Sequence, residues 1–377
     1  MLEINEHQAT LSANKMMSFF DRFTRIDEYM RMKKIERVKN SVHALPGYEP
    51  EKDLFLDFSM HPNDMEFVIE NAYMSKYSQY LELTSSHCNE RNIPGRGMQW
   101  IVYEKTSNKV VGMIRFGSPV INCKPRNEFL GKPLDTKNKD IMKRFNDSTI
   151  MGFNIVPAQP FGFNYLGGKL LAGICCSHYA RRILNKKYDT SYCMFETTSL
   201  YGSTKAFSQY DGMRPFLRYA GLTDSKFVPM MDDDTYHSLY QTFCDWNDGV
   251  HLVSNDKGSK KLKRSGMMIG ITKKALKKYN TDLWERFCKT IQTATELTEQ
   301  KRAYISTYGY SNVADYINLK TDTLEKRENF DRFELENIIT WWKNKASKRY
   351  ESLQKDGRLR NELEIWTPET TDLEIIR

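Results

Sequence analysis

The chain has 377 residues, 40% of them hydrophobic and 12% aromatic, which supports one large domain or two smaller ones with a real core. No apolar run is long enough to span a membrane, the start "MLEINEHQATLSANKMM" lacks a signal-peptide pattern, and seven irregularly spaced cysteines do not read as a disulfide framework, so a reducing cytoplasm is the expected compartment. The formal charge of +8 favours an anionic partner, with cations gathered at 257–279, 179–188 and 357–360.

In chain order, Phe19, Phe20, Phe23, Ile26, Met30 and Ile35 recur at roughly helical spacing and predict a helix over residues 10–40. "HALPGYEPEKD" breaks the pattern and reads as a linker. "LFLDFSM", residues 54–60, is strand-like. Pro62, Asn63 and Asp64 read as a helix start, carried on by Met65, Phe67, Val68, Ile69 and Tyr73. A further helix is expected from Tyr77 to about Cys88. Next comes the clearest β signal, "MQWIVYEKTSNKVVGMIRFGSPV", two apolar runs around "KTSNK", hence a hairpin. Residues 122–147 are polar and read as an insertion. "STIMGFNIV" predicts a strand, 169–187 one helix, and "YCMFETTSL" and "PFLRYAGL" two more strands. From about residue 235 the pattern turns mostly helical. Trp284, Phe287, Ile291 and Leu297 mark one helix there, and Phe330 to Trp342 another. In "YISTYGYSNVADYINL" the aromatics suit either core or base stacking. The expected class is α/β (α+β), a mixed sheet flanked by helices. The expected division is a helical arm over 1–45, an α/β core over 50–235 and a basic helical region over 236–377.

Two stretches could carry chemistry. In "NIVPAQPFGFNYLGGKLLAG", residues 154–173, a strand meets glycine and proline and then a helix. Glycine lets backbone approach a ligand, and a helix N-terminus offers free N–H groups and a positive dipole end, which suits a phosphate. Val156, Gly162, Asn164, Gly167, Gly168 and Lys169 form that candidate set; a turn needing positive φ explains the glycines equally well. In "FETTSLYGSTKAFSQYDG", Glu196 sits at the end of an apolar strand, where open α/β sheets place their ligands. Thr197, Thr198, Ser199, Tyr201, Gly202, Ser203, Lys205, Tyr210 and Asp211 follow. Glu196 is the candidate general base for an amine, and Tyr201 or Tyr210 an acid or a stacking platform. The other account is an ordinary turn of local hydrogen bonds.

Cations flank these stretches. Lys205 and Arg214 could pair with phosphate oxygens. Arg115, inside an apolar strand, is expected to face a cleft or a carboxylate. Arg96 in "GRG" could come close to a phosphate, or the glycines could make a simple turn. "KGSKKLKRSG", with Lys260, Lys261, Lys263 and Arg264, reads as flexible and cationic, and "ITKKALKKYN" as a short helix with lysines to one side. Both would hold phosphates without reading sequence, or be solvated faces. "CCSH" places Cys175 and His178 at i and i+3, but no C-x-x-C pair exists and no metal is assigned. "MMDDD" suits a solvated turn or a divalent ion.

The order of strands and helices resembles the GNAT acyltransferase fold. There the fourth strand leads into an Arg/Gln-x-x-Gly-x-Gly/Ala loop whose amides hold the pyrophosphate of acetyl-CoA. Here "QPFGFNYLGGKLLAG" stands in that place, without the basic first residue or the tight glycine spacing. The resemblance implies acetyl-CoA or another phosphate-bearing donor. Residues 98–225 also resemble the GNAT-related family of the Druantia anti-phage protein and the phage Mom DNA-modification proteins. "GFNYLGGKLLA" and "CMFETTSLYGSTKAFSQYDGMRPFLRYAGLT" carry this, with Gly202, Ala206, Tyr210, Gly221 and Thr223 in comparable places and the family tryptophan missing. It implies a GNAT-like group transferase acting on nucleic acid, DNA first, at the exocyclic amine of a base. Two alternatives stay open: a non-catalytic DNA- or RNA-binding protein on the same scaffold, and an N-acyltransferase on a small molecule or protein.

Overall fold

Three strands buried along almost their whole length form the centre of a sheet covered on both faces. The computed structural model describes residues 2–24, 26–41, 49–86, 95–199, 208–223, 230–252, 260–296, 301–367 and 370. Among them seven strands form one mixed sheet: β1 (Phe67–Asn71), β2 (Gly97–Glu104), β3 (Lys109–Gly117), β4 (Thr149–Pro157), β5 (Met194–Ser199), β6 (Arg218–Leu222) and β7 (Arg302–Ser306), in spatial order β1-β2-β3-β4-β5-β7-β6. The helices are α1 (Glu6–Phe20), α2 (Ile26–Ser41), α3 (Pro50–Asp53), α4 (Met74–Thr84), α5 (Lys124–Phe129), α6 (Lys139–Ser148), α7 (Phe161–Tyr165), α8 (Gly167–Cys175), α9 (His178–Tyr188), α10 (Asp233–Asp245), α11 (Lys260–Tyr279), α12 (Thr281–Glu296), α13 (Val313–Ile317) and α14 (Leu335–Lys355). The class is mixed α/β, as expected from the sequence. The chain divides into two compact units, one of Met1–Glu36 with Ser225–Glu299, the other of Arg37–Asp224 with Gln300–Arg377.

The larger unit holds the sheet. β2 and β3 pair as an antiparallel hairpin, closed by a turn in which Asn108 takes φ +55° and the Glu104 carboxylate accepts from the Thr106 and Ser107 amides. Successive residues serve opposite faces. Trp100, Val102 and Ile114 join Leu170, Leu171 and Ile174 of α8, while Ile101, Tyr103 and Met113 pack on Tyr77, Tyr80 and Leu81 of α4. Gly112 makes the first contact close: a Cβ there would lie 2.5 Å from Leu171 Cδ1. β4 returns to β5 through α7, α8 and α9, and these two strands are parallel, the arrangement a helical crossover allows. They pair only from Thr149↔Met194 to Gly152↔Thr197. Beyond that, β4 continues on β3 and β5 on β7, so the strands part toward their C-terminal ends.

In the smaller unit, α1 packs against α10, α11 and α12. Ala9, Ala13, Met16, Met17 and Phe20 form its buried face, and a capping box between Asn5 and Gln8 starts it.

Several elements differ from expectation. The single helix over 10–40 is two, α1 and α2, separated after Asp21. Residues 54–60 make no strand; Leu54 forms one isolated bridge to Val110. The helix expected from Pro62 is one 3-10 turn (Pro62–Asp64) followed by β1, because Phe67 and Ile69 turn inward while Val68 and Glu70 turn out. The polar stretch 122–147 holds α5 and α6. The helix over 169–187 breaks between α8 and α9, where the Ser177 side chain caps the Ala180 amide. β7 lies in the region read as helical and enters the sheet between β5 and β6. Lys260 onward is helical from the start of α11, not a flexible run followed by a short helix.

Candidate functional site

The two stretches singled out in the sequence meet where β4 and β5 part. Leu166, at φ +55°, turns the chain from α7 into α8. The glycines around it make room for the chain's own atoms. A Cβ on Gly162 would lie 2.4 Å from Gln159 Nε2, one on Gly167 2.7 Å from Phe161 Cδ1, and one on Gly168 2.2 Å from Gln209 Oε1. Trp342 of α14 donates its indole N–H to the carbonyls of Tyr165 and Leu166 at 3.0 and 3.3 Å. Asn164 exchanges two hydrogen bonds with the Arg360 backbone, at 2.8 and 3.2 Å. Val156 pairs with Met113 in the sheet.

The turn at 208–211 closes over the start of α8. The Lys169 ammonium donates to the carbonyls of Gln209, at 3.0 Å, and Asp211. The Asp211 carboxylate accepts from Tyr304 Oη at 2.8 Å, Arg302 at 3.1 Å and the Ser208 amide at 3.0 Å. Burial pulls the Lys169 pKa down, against the pull of Asp211. Tyr210 is buried with its ring edge-on to Tyr304, not open for stacking on a base. Gln209 lies against the Gly168 face and the nearest ammonium is bonded to carbonyls, so a pyrophosphate there would require the Gln209 side chain to swing away.

Glu196 is the third residue of β5, inside the strand and not at its end as the sequence suggests. Its two oxygens accept from Arg126 Nη1 at 3.2 and 3.3 Å. Both residues are buried, and the Arg126 guanidinium also rests 4.6 Å from the Phe145 ring centroid and donates to the carbonyls of Val120, at 2.8 Å, and Ile121. Burial raises the Glu196 pKa and the Arg126 charge opposes it. Sequence reasoning misses Arg126. It sits in the polar stretch 122–147, and nothing in "CKPRNEF" distinguishes a buried arginine from a solvated one. Thr197 Oγ1 donates to the Gly152 carbonyl at 2.9 Å, while Thr198 and Ser199 are half-buried at the end of β5.

The remaining cations scatter. Arg115 is buried opposite Asn154, which accepts from Tyr77 Oη at 3.3 Å; burial lowers the Arg115 pKa. Arg96 is held by Asp147 at 2.7 Å, by Tyr192 Oη at 2.9 Å and by the Asn146 carbonyl. It flanks an open cavity of about 460 Å³ lined by Asp140, Lys143, Arg144, Asp147 and residues 189–191. That cavity lies at the N-terminal ends of β4 and β5, opposite the end where they part. Arg214 is exposed and, with Arg327, close enough to Arg218 to add to the lowering that burial imposes on the Arg218 pKa. In the smaller unit Lys261 pairs with Asp233, Arg264 stacks 4.3 Å from the Tyr240 ring centroid, and Lys263 is exposed. Tyr201, Gly202, Ser203, Lys205 and the side chain of Lys260 lie outside the described residues. Among the described residues no group of three or more His, Cys, Asp or Glu side chains could hold a metal ion.

Residues 62–210 match the family model of the Druantia protein DruA, less than half of the chain. The matched stretch runs from the 3-10 turn before β1 to the turn that closes over α8. No curated protein and no solved structure matches the chain.

Proposed function

We propose that this chain is a nucleic-acid-binding protein of an anti-phage defence, built on a GNAT-like scaffold, that holds the phosphate backbone without group transfer. The match to DruA supports the defence setting. The strand order, with a helical crossover between parallel β4 and β5 that then part, supports the scaffold. The observation that carries binding over transfer is the filling of the Gly168 face by Gln209. Glu196 agrees, since a carboxylate bonded to a buried guanidinium has no open path to an incoming amine. The nucleic-acid partner is supported by exposed cations. On α11, Lys263 and Lys277 have no carboxylate within ion-pair distance among the described residues. Such side chains hold phosphates without reading sequence.

Transfer stays as a second reading on one observation, the convergence of Lys169, Gln209 and Asp211 at the parting strands. In it acetyl-CoA or another phosphate-bearing donor would take the Gln209 position at Gly168. The two readings separate by mass spectrometry of nucleosides from cells expressing the chain, alongside native purification. Nuclease-sensitive nucleic acid on the protein and no new nucleoside is the expected result. A new nucleoside mass that vanishes in Glu196→Gln would establish transfer instead.

A further inference from the structure

The geometry points to a phosphate-binding track on the larger unit, formed by Lys345, Arg349, Arg358 and Arg360 along α14 and the segment after it, and fitted to the backbone of a nucleic acid. It rests on the reading above that the chain binds nucleic acid, and it names a surface on the larger unit that does so.

Trp341, Lys345 and Arg349 stand at i, i+4 and i+8, so one helix face carries all three over about 12 Å. Aromatic rings hold the cations in place. Lys345 lies 5.5 Å from the Trp341 ring centroid, and Arg349 and Arg360 lie 4.7 and 4.4 Å from that of Phe163. Phe163 belongs to α7, so the glycine- and proline-rich stretch supplies the pedestal on which two arginines rest. Arg349 also donates to the Phe163 carbonyl at 3.4 Å, and Asn164 anchors the backbone of Arg360.

Like charges are gathered here, and of the acidic residues in the same stretch, Glu351, Asp356, Glu362 and Glu364, only Glu364 pairs with the group. Among the described residues the group has one carboxylate partner, Glu364 on Arg360 at 2.5 Å. Arg358 stands near enough to Arg349 to help lower its pKa, after burial. A folded chain that tolerates such repulsion presents a ready site for anions. The rings already carry cations, so phosphates and not bases are what the surface can take, and binding here is indifferent to sequence.

The test is titration of a fluorescent duplex of about 20 base pairs with the full chain at several salt concentrations, where each phosphate contact adds about 0.9 to the slope of log K against log salt. Lys345→Gln with Arg358→Gln removes two exposed cations whose side chains make no hydrogen bond or ion pair among the described residues. Lys132→Gln with Lys137→Gln, on an exposed loop, removes the same charge elsewhere. The track predicts a slope lower by about 1.8 for the first pair relative to the second. Equal slopes for the two pairs would overturn the track and leave binding standing. Absence of binding by the unaltered chain would overturn both.

Discussion

At the scale of residues, Arg126 and Glu196 set the clearest stability prediction. The pair is buried, and the guanidinium also holds two carbonyls of the loop after β3. Removing one partner leaves a buried charge uncompensated. Arg126→Ala should therefore cost about 3–5 kcal/mol in urea denaturation, and Arg126→Met combined with Glu196→Gln much less. His178 predicts a pH effect. Its Nε2 donates to the Phe330 carbonyl at 3.0 Å while Nδ1 accepts from Arg181 at 3.3 Å, which only the neutral ring can do. Burial, with Arg181 beside it, lowers its pKa from 6.5 to about 4. A depressed histidine contributes stability that is present above the unfolded pKa and lost as pH falls through the folded one. Between pH 6.5 and about 4 the chain should lose up to about 1.4 kcal/mol per pH unit on this account, and His178→Gln should flatten that part of the stability profile. None of this pairing is legible in the sequence. Glu196 can be singled out because it follows an apolar run at an expected strand end; Arg126, 70 residues earlier, cannot, because its neighbours in sequence are polar whatever it faces. Gln209 is likewise invisible, since what it fills is the missing side chain of Gly168.

At the scale of elements, α11 offers a prediction in the other direction. Gly266 and Gly270 lie in its interior, exposed, and a Cβ at either would meet nothing within 4 Å. Glycine in an exposed helix costs about 1 kcal/mol relative to alanine. Gly266→Ala and Gly270→Ala should each raise stability by about that amount in thermal melts. Elements with a strong period are legible from sequence. The hairpin β2–β3 shows as two apolar runs around a short polar stretch, so its turn falls where expected, and the apolar run into Val156 becomes β4. The strand β1 is not legible, because Phe67, Val68 and Ile69 cluster as a helix would and Pro62 with Asn63 and Asp64 looks like a helix start. The strand β7 is hidden in a tyrosine-rich segment, since its place between β5 and β6 depends on pairing with strands more than 75 residues earlier, as at Thr223 and Lys301, 78 apart.

At the scale of the whole molecule, the match to DruA and the sheet do not coincide. The matched residues 62–210 hold β1 to β5, while β6 and β7, which complete the sheet, come after them. The polar turn at 208–211 sits at that border, held by Arg302 and Tyr304 of β7. Sequence points to the end of a strand and the start of a helix; in the fold Glu196 is the third residue of β5 and the turn at 208–211 meets the start of α8. The sequence does not show that the halves close on each other, because the bonds that close them run to backbone carbonyls and to a strand from the far end of the chain. The glycines raised in the sequence thus admit side chains of the same protein, and the ring of Phe163 beside them carries two of its arginines. Nucleic-acid binding through phosphates is tested most directly by fluorescence-anisotropy titration of the unaltered chain against duplexes of unrelated sequence between about 50 and 200 mM salt, the range over which several phosphate contacts change affinity by orders of magnitude. Saturable binding, alike for each sequence, with log K falling linearly in log salt is the expected result. No saturable binding at the lowest salt, or binding that salt leaves unchanged, would contradict it.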